Sequence, residues 1–112
     1  MIPLQSQDQF ESLVIPRIVN TQIQTATKYD SNVIIYFTAT WCGACQRLNQ
    51  DKLQQRKDIT WYKCDIDQNK YTLGYCGLKK IPAFVFIKNG RFIGAMSTSI
   101  TENVLEMIEE TF

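Results

Sequence analysis

The chain has 112 residues, 45% hydrophobic and 21% charged, with a net charge of +1 at neutral pH. This length supports one domain with its own core, residues 1–112, and a balance of 12 basic against 11 acidic residues carries no electrostatic footprint for nucleic acid or an anionic membrane surface. Four cysteines are too few for a disulfide scaffold, and the lack of histidine removes the usual zinc nitrogen ligand and every Cys-His or Ser-His dyad.

In chain order, Ile2 to Leu4 suits a short strand, and Ser6, Asp8 and Phe10 lead into a first helical turn. The opening MIPLQSQDQFESL lacks a basic start and a continuous apolar core, and no stretch approaches the ~20 apolar residues of a membrane span. A cytoplasmic protein is expected, in a compartment that keeps thiols reduced. Ile15, Ile18, Val19, Ile23, Ala26 and Tyr29 fall on one face of a helix over 15–29, with Pro16 tolerable in its first turn. VIIYFT at 33–38 is a β-branched and aromatic run that reads as a central strand buried on both faces. WCGAC follows at once.

Residues 45–57 favour a helix, with Leu48 and Leu53 as its apolar positions and the basic QQRKD at 54–58 as its solvated end. ITWYKCDI at 59–66 is a second strand, followed by a short helix over 68–75 and the loop GLKKIP. AFVFIK and RFIGAM flank Asn89-Gly90, a hairpin signal because both turn residues tolerate positive φ. Phe84, Phe86, Phe92 and Met96 read as core, and Trp61 as packing. Ser99 with Glu102 resembles a capping box opening a last helix whose apolar side is Val104, Leu105 and Ile108. The order implies an α/β fold, a central mixed β-sheet flanked by helices on both faces.

The cysteines then acquire a setting. Cys42 stands where a buried strand gives way to a helix, whose start offers unpaired N–H groups and a partial positive charge, so an exposed, low-pKa thiol is expected there. Cys45, three residues on, can reach it to close a disulfide, and small Gly43 and Ala44 leave room for a substrate sulfur. Two alternatives fare worse. A zinc site would need a second closely spaced pair, which the 64 to 76 interval does not supply, and a purely structural role for Cys42 and Cys45 leaves the flanking Trp41 and Ile81-Pro82 unexplained. Cys64 reads as a small buried hydrophobe. Cys76, before the GLKKIP loop, is expected to be partly exposed and either structural or a regulatory thiol.

Taken together, VIIYFTATWCGAC, CDIDQN, CGLKKIPAFVFIKNG and the FIGAMS strand resemble the thioredoxin family over about four fifths of the chain. The resemblance implies a thioredoxin fold and dithiol-disulfide exchange on protein substrates. It implies Cys42 as nucleophile, Cys45 as resolving thiol, Trp41 as the indole beside them, and Lys63 as the lysine behind the site. Ile81-Pro82 matches the family's cis-proline, whose neighbouring backbone pairs with an extended peptide.

Departures from the pattern carry expectations of their own. Ala44 replaces the family's proline and restores an N–H beside the thiolate, which would lower the Cys42 pKa and make the couple more oxidising. Tyr36 replaces a buried aspartate, and a phenol is a poor base at neutral pH, so exchange slows or water takes over the proton; Lys63 would then bond to the Tyr36 hydroxyl if buried. The stretch after Cys45 is short by about one helical turn, the segment before VIIYF is longer, and Thr98 stands for a glycine, which together reshape the partner surface. The expected activity is reduction of protein disulfides through Cys42 and Cys45, by a monomer. Rivals are an oxidase or isomerase, and a binding module of the same shape. No glycine-rich nucleotide motif occurs, so no cofactor is expected, and electrons must come from a reductase protein or a low-molecular-weight thiol.

Overall fold

The computed structural model describes residues 1–15 and 29–112. The expected helix over 15–29 therefore lies outside the described residues, apart from Ile15 and Tyr29. Five strands form one sheet: β1 (Ile2–Pro3), β2 (Asn32–Thr38), β3 (Thr60–Asp65), β4 (Ala83–Lys88) and β5 (Arg91–Ser97), in the order β1-β3-β2-β4-β5. β1, β3 and β2 run parallel, whereas β4 and β5 are antiparallel additions. This is the mixed sheet of the thioredoxin fold.

β2 is central because it is apolar on both sides. Ile34 and Tyr36 point to one face, where they meet Phe84, Phe86, Trp61, Cys42 and Cys45. Val33, Ile35 and Phe37 point to the other, among Val85, Ile87, Cys64, Leu4 and Phe10. The alternation follows from the period of two along a strand, and each fully buried Phe or Ile stabilises the fold by about 1.5–3 kcal/mol. Helices cover both faces. α2 (Gln50–Leu53) and α4 (Thr101–Thr111) bury Leu53, Val104 and Ile108 on the Cys42 side. α1 (Gln7–Glu11) and α3 (Tyr71–Tyr75) lie opposite, where Phe10 and Leu73 pack.

The hairpin forms as read, with Asn89 at φ 52° and Gly90 at φ 78°. Gly90 is required twice over, since a Cβ there would also come within 2.6 Å of the Tyr29 ring.

Three readings need correction. The helix expected over 45–57 is a 3-10 turn, Ala44–Arg47, then the four-residue α2; Leu48 turns extended between them and Asn49 caps the second piece by accepting from the Lys52 N–H at 3.0 Å. With only Leu48 and Leu53 to bury, no apolar stripe holds a longer helix on the sheet. Ser99 caps nothing: α4 starts after Ile100 without a side-chain cap, and the nearby hydroxyl that accepts the Ile100 N–H is that of Thr98, at 3.1 Å. Phe92 is 45% exposed, because β5 is an edge strand and its register shifts opposite Phe86 and Ile87. Phe84 and Phe86 are fully buried and Met96 is half-buried against them.

Candidate active site

The site begins where β2 runs out. Thr38 is held by its carbonyl, which accepts the Ile66 N–H at 3.0 Å, and the Cys42 N–H then closes a turn onto the Ala39 carbonyl at 3.1 Å. The chain reverses into the 3-10 turn with Cys42 and Cys45 joined as a disulfide, their Cα atoms 5.3 Å apart. The Cys45 N–H points at Cys42 Sγ from 3.1 Å. That amide is the group that would stabilise a Cys42 thiolate. It is the Cys45 amide, not the one restored at Ala44, that reaches the sulfur.

Both cysteines are buried, each 6% exposed, so the expected exposed attacker is corrected for the disulfide state. What is exposed is the rim. Trp41 is 65% exposed and is held upright by its indole N–H, which donates to Asp67 Oδ2 at 2.8 Å. Asp67 is itself oriented by its own N–H, which donates to Asp65 Oδ1 at 2.9 Å. Asp67 was not singled out from sequence; the signal available was a second acid two residues after Asp65 at a strand end, where an Asx turn forms. Gly43 is exposed, and a Cβ there would meet nothing within 4 Å, so the space at Gly43, between the two cysteines in sequence, is open.

Ile81 and Pro82 arrive from the start of β4. Their peptide bond is cis, Ile81 packs against the cluster that holds Cys42, and the Pro82 carbonyl accepts the Thr98 N–H at 3.1 Å. Thr98 thus ties the loop before α4 to this proline.

Beneath the disulfide, Tyr36 is buried and stacks on Phe84 with ring centroids 5.3 Å apart. Its hydroxyl donates to Thr38 Oγ1 at 3.2 Å. Lys63 is exposed and only its backbone is paired across the ladder with Tyr36, so the conditional Lys63–Tyr36 hydrogen bond is replaced by the Tyr36–Thr38 one.

The other cysteines lie on the far face. Cys64 is fully buried, its thiol pushed up from an ordinary value near 9.0 to about 12 by burial and by the neighbouring charges of Asp65 and Cys76. Cys76 is half-buried, and burial lifts it to about 11. Among the described residues no cluster of three or more metal-ligating side chains forms.

A disulfide with an amide aimed at one sulfur, at the end of the central strand of a β1-β3-β2-β4-β5 sheet, defines a thiol–disulfide oxidoreductase of the thioredoxin fold. A thioredoxin family profile matches residues 15–110. The thioredoxin of Geodia cydonium is 34% identical over 83 residues, spanning 67% of this chain and 78% of that one, and that of Ictalurus punctatus is 30% identical over 86 residues, spanning 72% and 80%. The chain belongs to the thioredoxin family. The crystal structure of Malassezia sympodialis thioredoxin superposes with a TM-score of 0.72 at 26% identity, covering 97% of this chain and 90% of that one. Oxidised mitochondrial thioredoxin 3 of Saccharomyces cerevisiae, at 24% identity, shares the fold with a TM-score of 0.79 over 98% and 94% of the two chains.

Proposed function

We propose that this chain, one domain acting as a monomer, reduces disulfides in cytoplasmic proteins with Cys42 as the attacking sulfur and Cys45 as the resolving one. Cys42 attacks a substrate disulfide and takes one sulfur into a mixed disulfide; Cys45 displaces it, leaving substrate dithiol and the Cys42–Cys45 bond. The observation that carries this order is the Cys45 N–H aimed at Cys42 Sγ, which stabilises negative charge on Cys42. An extended substrate segment lies along Ile81 and Pro82, between exposed Trp41 and Thr98. Trp41 supplies apolar area at the rim, and open space at Gly43 admits the incoming sulfur.

The electron donor is a reductase protein or a small thiol, and the dithiol works without a bound cofactor. Cys64 and Cys76 remain free thiols, which fits a reducing compartment. The raised pKa of Cys76 favours a structural role over a regulatory one.

Insulin reduction with dithiothreitol tests the assignment: wild type accelerates precipitation and Cys42→Ser does not. Equal rates for the two proteins would leave only a binding module. A measured potential near ~−270 mV supports a reductase, and one near ~−180 mV an oxidase or isomerase.

A further inference from the structure

Charge is spread unevenly over the end of the sheet that carries the disulfide. Strand register brings four strand ends together there: Thr38 pairs with Asp65, Phe37 with Ala83, and Ala83 with Ser97. β2 leads on to Cys42 and Cys45, with β3 on one side of it and β4 on the other. On the β3 side stand Asp65 and Asp67, whose carboxylates accept the Asp67 and Trp41 N–H groups at 2.9 and 2.8 Å, followed by Lys70 at the start of α3. On the β4 side stand Lys79 and Lys80, the two residues before Ile81, both exposed.

These lysines are placed by their backbone. The Lys80 carbonyl accepts the Ser97 hydroxyl at 3.0 Å, Ile81 packs against the cluster that holds Cys42 and Cys45, and the Pro82 carbonyl accepts the Thr98 N–H at 3.1 Å. Among the described residues the ion pairs are Lys52–Glu102 and Arg56–Asp58, so neither lysine has an acidic partner there. Residues 16–28 contain neither Asp nor Glu. Glu102, the acid in the first turn of α4 just beyond Thr98, already accepts from Lys52 at 2.7 Å. Arg47, exposed on the 3-10 turn two residues past Cys45, adds charge of the same sign. The edge along Ile81 and Pro82 is cationic and its charge is not met from within the described structure.

We infer that Lys79 and Lys80 make this site select protein disulfides flanked by acidic residues. The inference rests on exchange through Cys42 and Cys45 and on the placing of substrate along Ile81 and Pro82. An extended segment advances about 3.3 Å per residue, so one lying there carries the residues beside its cystine past Lys80 and Lys79. Carboxylates in those positions meet two ammonium groups, and basic side chains are repelled. Exposed pairs of this kind each shift an equilibrium by a factor of about 1.5 to 5. They also steer the encounter, which makes the rate depend on salt. Lys79 and Lys80 set specificity and take no part in the sulfur chemistry.

The test uses the reduced full chain and two peptides, each closed by one disulfide and identical except that the residues flanking the cysteines are Glu in one and Lys in the other. Second-order rate constants are read from the appearance of peptide dithiol. Each is divided by the rate of the same peptide with dithiothreitol, which removes differences between the disulfides themselves. At about 0.01 M salt, where the screening length is ~30 Å, the Glu peptide reacts about tenfold faster. At about 1 M salt, where that length is ~3 Å, the ratio falls to within about twofold. Lys79→Glu with Lys80→Glu inverts the order at low salt, and Lys79→Gln with Lys80→Gln brings the ratio to about two or below. Because each ratio compares two substrates on one protein, a general change in Cys42 reactivity cancels. Equal rates for the two peptides in wild type at low salt, or a Glu preference that survives both double variants, overturns the selection. Reduction of neither peptide by wild type removes the exchange assignment itself, and the selection with it.

Discussion

The two cysteine environments of this chain differ more than their residue type suggests. Cys42 and Cys45 sit at the end of β2 with an amide on the sulfur, beside exposed Trp41 and the open space at Gly43. Cys64 and Cys76 sit across the sheet among Phe37, Leu73 and Leu78, where burial raises both thiols to about 12 and about 11. A sulfur becomes a nucleophile when backbone donors replace the water it loses, and becomes a hydrophobe when nothing does. The sheet supplies both conditions at the same end of β2 and β3, a turn beyond β2 serving one face and packed side chains the other.

Alkylation of the reduced protein gives the largest expected contrast. At pH 8, Cys42 reacts at least about a hundredfold faster than Cys64 or Cys76, whose thiolate fractions are about 10⁻⁴ and 10⁻³ at the stated pKa values. Comparable labelling of all four by peptide mapping would erase the distinction. Next in size is packing. Phe84→Ala, beside Tyr36 and Trp61, costs about 3–5 kcal/mol in urea unfolding and Ile35→Ala on the opposite face about 2–5 kcal/mol, but only Phe84→Ala also alters the rate of disulfide exchange. An equal kinetic effect of both would show that the two faces are not independent.

Alkaline pH sharpens the contrast further. Because the folded state holds the Cys64 and Cys76 protons more tightly than the unfolded chain does, their contribution is complete below pH 9 and falls as pH rises toward about 11 and about 12. Each thiol lowers stability by at most about 1.4 kcal/mol per pH unit in that window. Cys64→Ala flattens the slope measured by denaturation between pH 9 and 11; an unaltered slope would count against a buried neutral thiol. The smallest effect is at the rim. Asp67→Asn weakens the hydrogen bond from Trp41 and costs about 1 kcal/mol or less, seen as greater quenching of Trp41 by acrylamide with little change in melting temperature.

Much of the fold was legible because its signals are local. VIIYFT declares a strand buried twice over, Asn89-Gly90 declares its turn, and the Cys-x-x-Cys spacing after a strand declares a dithiol. The misreadings lie where local pattern yields to packing. Residues 45–57 have helical composition but too few apolar positions to dock as one helix. Phe92 has the spacing of a core residue yet occupies an edge. Ser99 and Glu102 match a capping box, while the chain enters α4 one residue later and without a side-chain cap. Asp67 went unnoticed because its partner, Trp41, lies 26 residues away in sequence.

The sequence by itself determined the strand order of burial, the hairpin and the presence of a redox-competent cysteine pair, since each depends on residues within a few positions of one another. Only the tertiary structure decided that both sulfurs are covered, that Lys63 faces solvent, and that Tyr36 bonds to Thr38. Those facts depend on which side chains from separate strands and helices meet, and a hydrogen bond or a desolvated thiol exists only once they do.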